Sequence, residues 1–184
     1  MIKIAKDNEL LKKPTEEFKF DNPQTDPKEL AGLLVNHVLH FKAAAVGASQ
    51  IGLPYSVFAL NTDPKLVCFN PKITTTSDEL VVLDEMDVSH PGLVMKIKRP
   101  KHIRLRFYDP AGTITVEKFT GMTARYALQQ MDYINGIGFF KRANRFHKEA
   151  AIKKLTKHPN YSTIPIIRQI ENSQIDKQSI KELV

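Results

Sequence analysis

Residues 55–116 hold no apolar run longer than a single strand, and Xaa-Pro turns divide the runs from one another. Proline fixes φ and removes a backbone donor, so Asp63-Pro64, Asn70-Pro71 and Asp109-Pro110-Ala111-Gly112 read as turns between extended segments. The segments themselves are rich in β-branched and aromatic residues: Ser56-Val57-Phe58-Ala59-Leu60, Leu66-Val67-Cys68-Phe69, Leu80-Val81-Val82-Leu83 and residues 102–108. In the last of these, Ile103, Leu105 and Phe107 alternate with His102, Arg104 and Arg106, which predicts one buried and one wet face.

Helical texture brackets this block. Asp26-Pro27-Lys28-Glu29 is a helix start, with Asp at the cap, Pro in the first turn and an acid three residues on. Leu30, Leu33, Leu34, Val38 and Phe41 follow on one helical face, and a small-residue stretch, 43–48, ends it. A second helix is predicted over about 123–135, with Gly136 as its stop, and a third over about 143–157, with Pro159 beyond it. The first 25 residues read as an extended arm. Helix, strands, then helices define an α+β fold rather than alternating β-α units. Residues 1–158 are expected to form one domain. Residues 159–184 are a tail of unassigned role, with an apolar run at 164–170 and a final turn at 176–183.

Composition narrows the function. The 184 residues include one cysteine and six histidines, so neither an internal disulfide nor a thiolate cluster for zinc is available. Cys68 reads as a small core residue. His37 and His40, three apart on the first helix, lack a third ligand and read as residues of an amphipathic helix; His90 reads as an exposed loop residue. No apolar run reaches the ~18 residues of a membrane helix, and a charge stands where a leader would have its apolar stretch, so a cytoplasmic protein is expected. The net charge is +7, and Lys141, Arg142, Arg145, Lys148, Lys153, Lys154 and Lys157 face a single acid, Glu149, within 17 residues. That block is a candidate face for an anionic partner.

Three segments carry more specific information. They are Ala43-Ala44-Ala45-Val46-Gly47-Ala48-Ser49-Gln50, then Asp84-Glu85-Met86-Asp87-Val88-Ser89, and Gln129-Gln130-Met131-Asp132-Tyr133 with Gly136 after it. In order and spacing the chain resembles the peptide deformylases, whose motifs are GxGxAAxQ, EGCLS and QHExDH followed by glycine. Leu10-Leu11-Lys12-Lys13-Pro14, Phe69-Asn70-Pro71, Arg99 and Asp109-Pro110-Ala111-Gly112 extend the resemblance to about residue 157. It implies antiparallel sheets packed around a central helix at about 123–135, with a basic C-terminal helix. In that family two histidines four apart on the helix and a cysteine hold a divalent metal, a glutamate moves the proton, and a glutamine with a backbone N–H stabilises the oxyanion.

Carried over by position, Asp87 stands for the cysteine, Gln129 and Tyr133 for the histidines and Gln130 for the glutamate, while Gln50, Glu85, Ser89, Asp132 and Gly136 keep the family identity. Alanines at 43 and 45 replace glycines and are expected to crowd the groove. Arg99, Asp132, Glu85 and Gly136 are therefore expected to hold the scaffold. Gln50, Asp87, Gln129, Gln130 and Tyr133 are expected to be vestiges of a lost site, with no metal and no cofactor. The resulting expectation is a pseudoenzyme, a structural or binding protein acting through protein partners in an assembly such as a phage tail or baseplate. One alternative is a factor that binds the ribosome or nucleic acid through helix 141–157. The other is an active deformylase with an altered metal site, in which Asp87 and Tyr133 hold a harder ion.

Overall fold

A computed structural model describes residue 4 and residues 9–157; the expected tail and its apolar run lie outside the described residues. After a short 3-10 turn at Glu9–Leu11, the arm runs extended and is tied down at both ends of the core by bridges from Pro14 to Asn135 and from Glu16 to Tyr55. Helix α1, Pro27–His40, starts as its sequence dictates: the Asp26 carboxylate accepts from the backbone N–H of Lys28 at 2.8 Å and of Glu29 at 3.0 Å.

Strands β1 (Ala45–Gly47), β2 (Val57–Leu60), β3 (Leu66–Thr76), β6 (His102–Tyr108) and β7 (Ile114–Thr120) form one antiparallel sheet in the order β1-β2-β3-β6-β7. Strands β4 (Leu80–Asp87) and β5 (His90–Pro100) form a separate hairpin. Helix α2, Gly121–Ile134, packs against β1, β2, β6 and β7 of the sheet and against β5 of the hairpin, so it is covered on several sides. Its Ala124, Ala127, Leu128 and Met131 meet Ile103, Leu105 and Phe107 of β6 in one core cluster. Leu30, Leu34 and Val38 of α1 build a second cluster with Phe18, Val46, Val57 and Phe69. The third joins Leu93, Met95 and Ile97 of β5 to Tyr133 and to Ala151 and Leu155 of α4, Arg145–Thr156; a single turn, α3 (Phe139–Arg142), leads into it.

Strands β5 and β7 fall where the sequence carries no strand expectation. In β5 the inward row Leu93, Met95, Ile97 continues into a buried arginine, Arg99, and the outward row is lysine-rich, so the apolar alternation is interrupted. Gly136 ends α2 at φ +68°; a Cβ there would lie 2.6 Å from the backbone of Lys13, so the arm passes where only glycine leaves room. Cys68 is fully buried, and burial pushes its thiol well above the ordinary range. Among the described residues no helix is long and apolar enough to cross a membrane.

Candidate functional site

The C-terminal half of α2, the end of β4 and the 3-10 turn Ala48–Ile51 converge on one buried polar cluster. Asp87 is its hub. Its Oδ1 accepts from the backbone N–H of Ser89 at 2.8 Å and from His90 Nδ1 at 3.1 Å, and its Oδ2 accepts from Gln50 Nε2 at 3.3 Å. Gln50 Nε2 also donates to Ser89 Oγ at 3.1 Å, while Gln50 Oε1 accepts from Gly47 N at 2.9 Å. The Tyr133 hydroxyl lies 3.5 Å from His90 Nδ1. Gln129 Nε2 donates to the Met86 carbonyl at 3.0 Å, which pins α2 to β4.

His90 corrects the sequence reading. It opens β5 opposite Asp87 and is buried, because the intervening turn folds inward and the rings of Phe139 and Phe140 pack on the imidazole, with centroids at 5.7 and 5.1 Å. Gln130 is 1% exposed, and neither its Nε2 nor its Oε1 has a hydrogen-bond partner. Its Oε1 occupies the space that a Cβ on Gly47 would need, 2.6 Å away.

Beneath this cluster lies a charged network. Arg99 forks onto Glu85, Nε to Oε1 at 2.6 Å and Nη2 to Oε2 at 2.9 Å, and its Nη1 reaches Asp132 Oδ2 at 2.8 Å. Burial pushes the Arg99 guanidinium down, but its bonds and charges with Glu85 and Asp132 outweigh this and raise it. Sequence reasoning missed Arg125, one helical turn before Gln129, which reaches Glu85 and the carbonyls of Ile97 and Val81. A charged residue inside the apolar row of α2 is the signal that could have found it. Arg142 also leaves the expected anion face: its Nε donates to Asp132 Oδ1 at 2.8 Å. Of the other cations of that face, Arg145 pairs with Glu149 and Lys148 lies over the Phe140 ring.

An open groove of about 390 Å³ runs beside the polar cluster. Ala43 and Ala44 form one wall and β4 residues the other, with Arg125 and Gln129 of α2 among its lining. Met122 and Met86, the latter 72% exposed, supply apolar surface at its edge. Ala45 does not crowd this groove: it is buried in the core with Phe58 and Leu60.

The resemblance implies a divalent metal at positions 87, 129 and 133, and the residues there do not fit one. The Asp87 oxygens are already occupied by three donors, and Gln129 turns its amide N–H toward Met86. Tyr133 keeps its proton: burial, and then the nearby charge of Asp87, push the phenol well above its ordinary range. Among the described residues no three His, Cys, Asp or Glu side chains are grouped to hold an ion.

A central helix held between a five-stranded sheet and a hairpin, with a groove along its Met122, Arg125, Tyr126 and Gln129, is the architecture of a known class of enzymes. The polypeptide deformylase model matches residues 1–149, and the chain belongs to that family. A peptide deformylase of Synechococcus sp. (strain RCC307) is 29% identical over 140 residues, which is 73% of this chain and 69% of the relative. A peptide deformylase-like protein of Agrobacterium fabrum is 30% identical over 135 residues, 72% of this chain and 82% of that one. The crystal structure of peptide deformylase from Thermus thermophilus shares the fold at a TM-score of 0.78 and 24% identity, covering 92% of this chain and 98% of that one. The expectation of a chain that is not an enzyme is corrected here: the family it belongs to, and the relatives it matches, carry the name of an enzyme.

The Tyr133 phenol gives a pH dependence with a definite sign. Its pKa is raised in the fold, so the folded state holds this proton more tightly than the unfolded chain. The corresponding stability is fully present below the ordinary phenol pKa of about 10 and is lost as pH rises through the higher folded value. Urea midpoints measured across this alkaline range are expected to fall, and Tyr133→Phe should flatten that fall. An equally steep decline in the variant would assign it to other groups.

Proposed function

We propose that this protein acts, as its relatives' name describes, on a formyl-bearing peptide, which it takes into the groove between Ala43–Ala44 and β4. The observation that carries this reading is the groove itself, open, partly apolar and lined by Asp87 and Gln129 at the buried polar cluster. With no donor set for a metal there, the chemistry falls to the chain's own groups. Asp87 accepts the Nδ1 proton of His90 and a bond from the Gln50 amide, while the Gln130 amide stands buried beside them without a partner.

The test is calorimetric titration with a short formyl-methionyl peptide and its unblocked counterpart, followed by a formate-release assay with and without chelator. The formylated peptide should bind about tenfold tighter, a 1.4 kcal/mol difference, with slow formate release that the chelator leaves unchanged. Absence of binding by either peptide would refute the reading; release abolished by chelator would refute the assignment of chemistry to Asp87 and His90.

A second reading concerns partners. Lys153, Lys154 and Lys157 are exposed on or just after α4 and support contact with the ribosome or another nucleic acid. Leu80, Val82 and Met86 project outward from β4 and support a protein contact in an assembly, a phage tail or baseplate being one such setting. Sedimenting ribosomes and particles from producing cells and probing each for the chain separates the two.

A further inference from the structure

The sheet carries a second basic surface that has nothing to do with α4. Along β6, His102, Arg104, Arg106 and Tyr108 alternate with Ile103, Leu105 and Phe107, which are buried against α2. Register fixes what stands beside them: Lys118 opposite Arg104, Val116 opposite Arg106 and Ile114 opposite Tyr108 on β7, and Lys72 opposite Arg106 on β3. Directly paired residues share a face. Lys72, Arg106, Arg104 and Lys118 therefore form a chain of four cations across one face, each about 5–7 Å from the next along the backbone.

The strands supply no carboxylate to this face; Glu17 of the arm shares a hollow with Lys72 at its margin. Neither β3 nor β6 contains an Asp or Glu, and the one acid of β7, Glu117, is registered with Leu105 on the opposite face. Among the described residues none of the four cations makes a salt bridge or side-chain hydrogen bond. At the neighbouring hairpin, by contrast, lysines are placed against acids, as in Lys96–Asp84 and Lys101–Glu79. Like charges held this close without counter-charges repel, and an anionic partner relieves that repulsion.

Two further features give the partner a character. The Arg106 guanidinium lies over the Tyr108 ring, 5.5 Å from its centroid, and Phe20 packs on the same ring at 5.6 Å, which holds the tyrosine in place and leaves the guanidinium as the group on which a base can stack. At the other end of β6 is a hollow of about 300 Å³ between Thr75, Ser77, Arg104 and Lys118, and His102, which also lines it, keeps a buried Nδ1 without a hydrogen-bond partner. We propose that the outer face of β3, β6 and β7 binds single-stranded nucleic acid, its phosphates on Lys72, Arg104, Arg106 and Lys118 and a base on the Arg106–Tyr108 pair. A row of cations across the middle of this face suits an extended strand. A membrane surface would call for protruding apolar groups in that centre, whereas Ile114 and Val116 stand on the edge strand.

The test is fluorescence anisotropy of labelled oligouridylate and oligothymidylate with the full chain, between about 50 and 200 mM salt. The triple variant Arg104→Glu, Arg106→Glu, Lys118→Glu should weaken binding at least tenfold. Each lost contact should lower the slope of log K against log salt by about 0.7, or about 2 for three contacts. Lys153→Glu with Lys154→Glu on α4 should change affinity less than about threefold. Arg104→Gln, too mild to disturb an exposed position, should reproduce part of the loss, and melting curves of all variants verify the fold. Preference for either oligomer identifies the strand chemistry, and loss of its binding in the triple variant supports the proposal. Unchanged affinity in the triple variant, loss that follows the α4 variant, or capture by phosphatidylserine vesicles in place of the oligomers would overturn it.

Discussion

Arg99→Met is expected to be the most destabilising single change in this protein, at about 3–5 kcal/mol. Arg99 is 3% exposed and holds two buried carboxylates, Glu85 through a two-point fork and Asp132 through its third nitrogen. Removing it leaves Glu85 to Arg125 and Asp132 to the half-exposed Arg142, and neither replaces the lost geometry. A buried charge stripped of a partner pays its desolvation without the compensating attraction. Against a total stability of about 5–15 kcal/mol, a large share of the folding margin is at stake. At about 2–4 °C per kcal/mol for a chain of this size, the melting temperature should fall by roughly 6–20 °C. The double variant Arg99→Met, Asp132→Asn should cost clearly less than the two single changes added together, because both disrupt one interaction. Full additivity, or a single-variant loss under about 1 kcal/mol, would show that the network does not hold α2 to the hairpin.

The same network shows how far the sequence was legible. The Asp26 cap, most of the strand–turn block and Gly136 announce themselves because the information is local: a side chain bonding the next two amides, a proline in a turn, a backbone that admits no Cβ. Asn70-Pro71 is the exception: in place of the expected turn, β3 runs through it with a shift of register, Asn70 taking φ +47°. Arg125, Arg142 and His90 were misplaced or missed because their partners are distant in sequence. Arg125 bonds Glu85 forty residues away, and Arg142 leaves the basic block only because α3 turns it toward Asp132. His90 is held inward by Asp87, three residues before it across the two-residue turn Val88-Ser89, a pairing that only the folded hairpin reveals. The site was legible as positions, through the family resemblance, but the absence of enzymatic activity did not follow from its altered side chains. Family membership speaks for an enzyme, while the donor atoms at 87, 129 and 133 speak only against the usual metal.

That distinction makes a strong prediction: replacing the donors alone should create a metal site. Residues 129 and 133 are one helical turn apart on α2, and both already meet the β4–β5 turn, Gln129 through the Met86 carbonyl and Tyr133 beside His90 and Asp87. Asp87→Cys, Gln129→His and Tyr133→His together place a thiolate and two imidazoles where an amide, a phenol and a hydrogen-bonded carboxylate now stand. Three such ligands with an open position suit a tetrahedral divalent ion. Gln130→Glu should be added, because the amide it replaces is buried without partners and a carboxyl can share a proton with bound water there. The quadruple variant is expected to take up one cobalt ion per chain at micromolar or better affinity, roughly −8 kcal/mol, with the visible absorption of a tetrahedral thiolate complex; the unaltered chain is expected to show no such spectrum. The variant should also gain stability on adding metal, since an ion that binds only the folded state shifts unfolding by mass action. A folded quadruple variant without the cobalt spectrum would mean that the backbone around Asp87 has moved away from metal-binding geometry, and that the change in this chain runs deeper than four side chains.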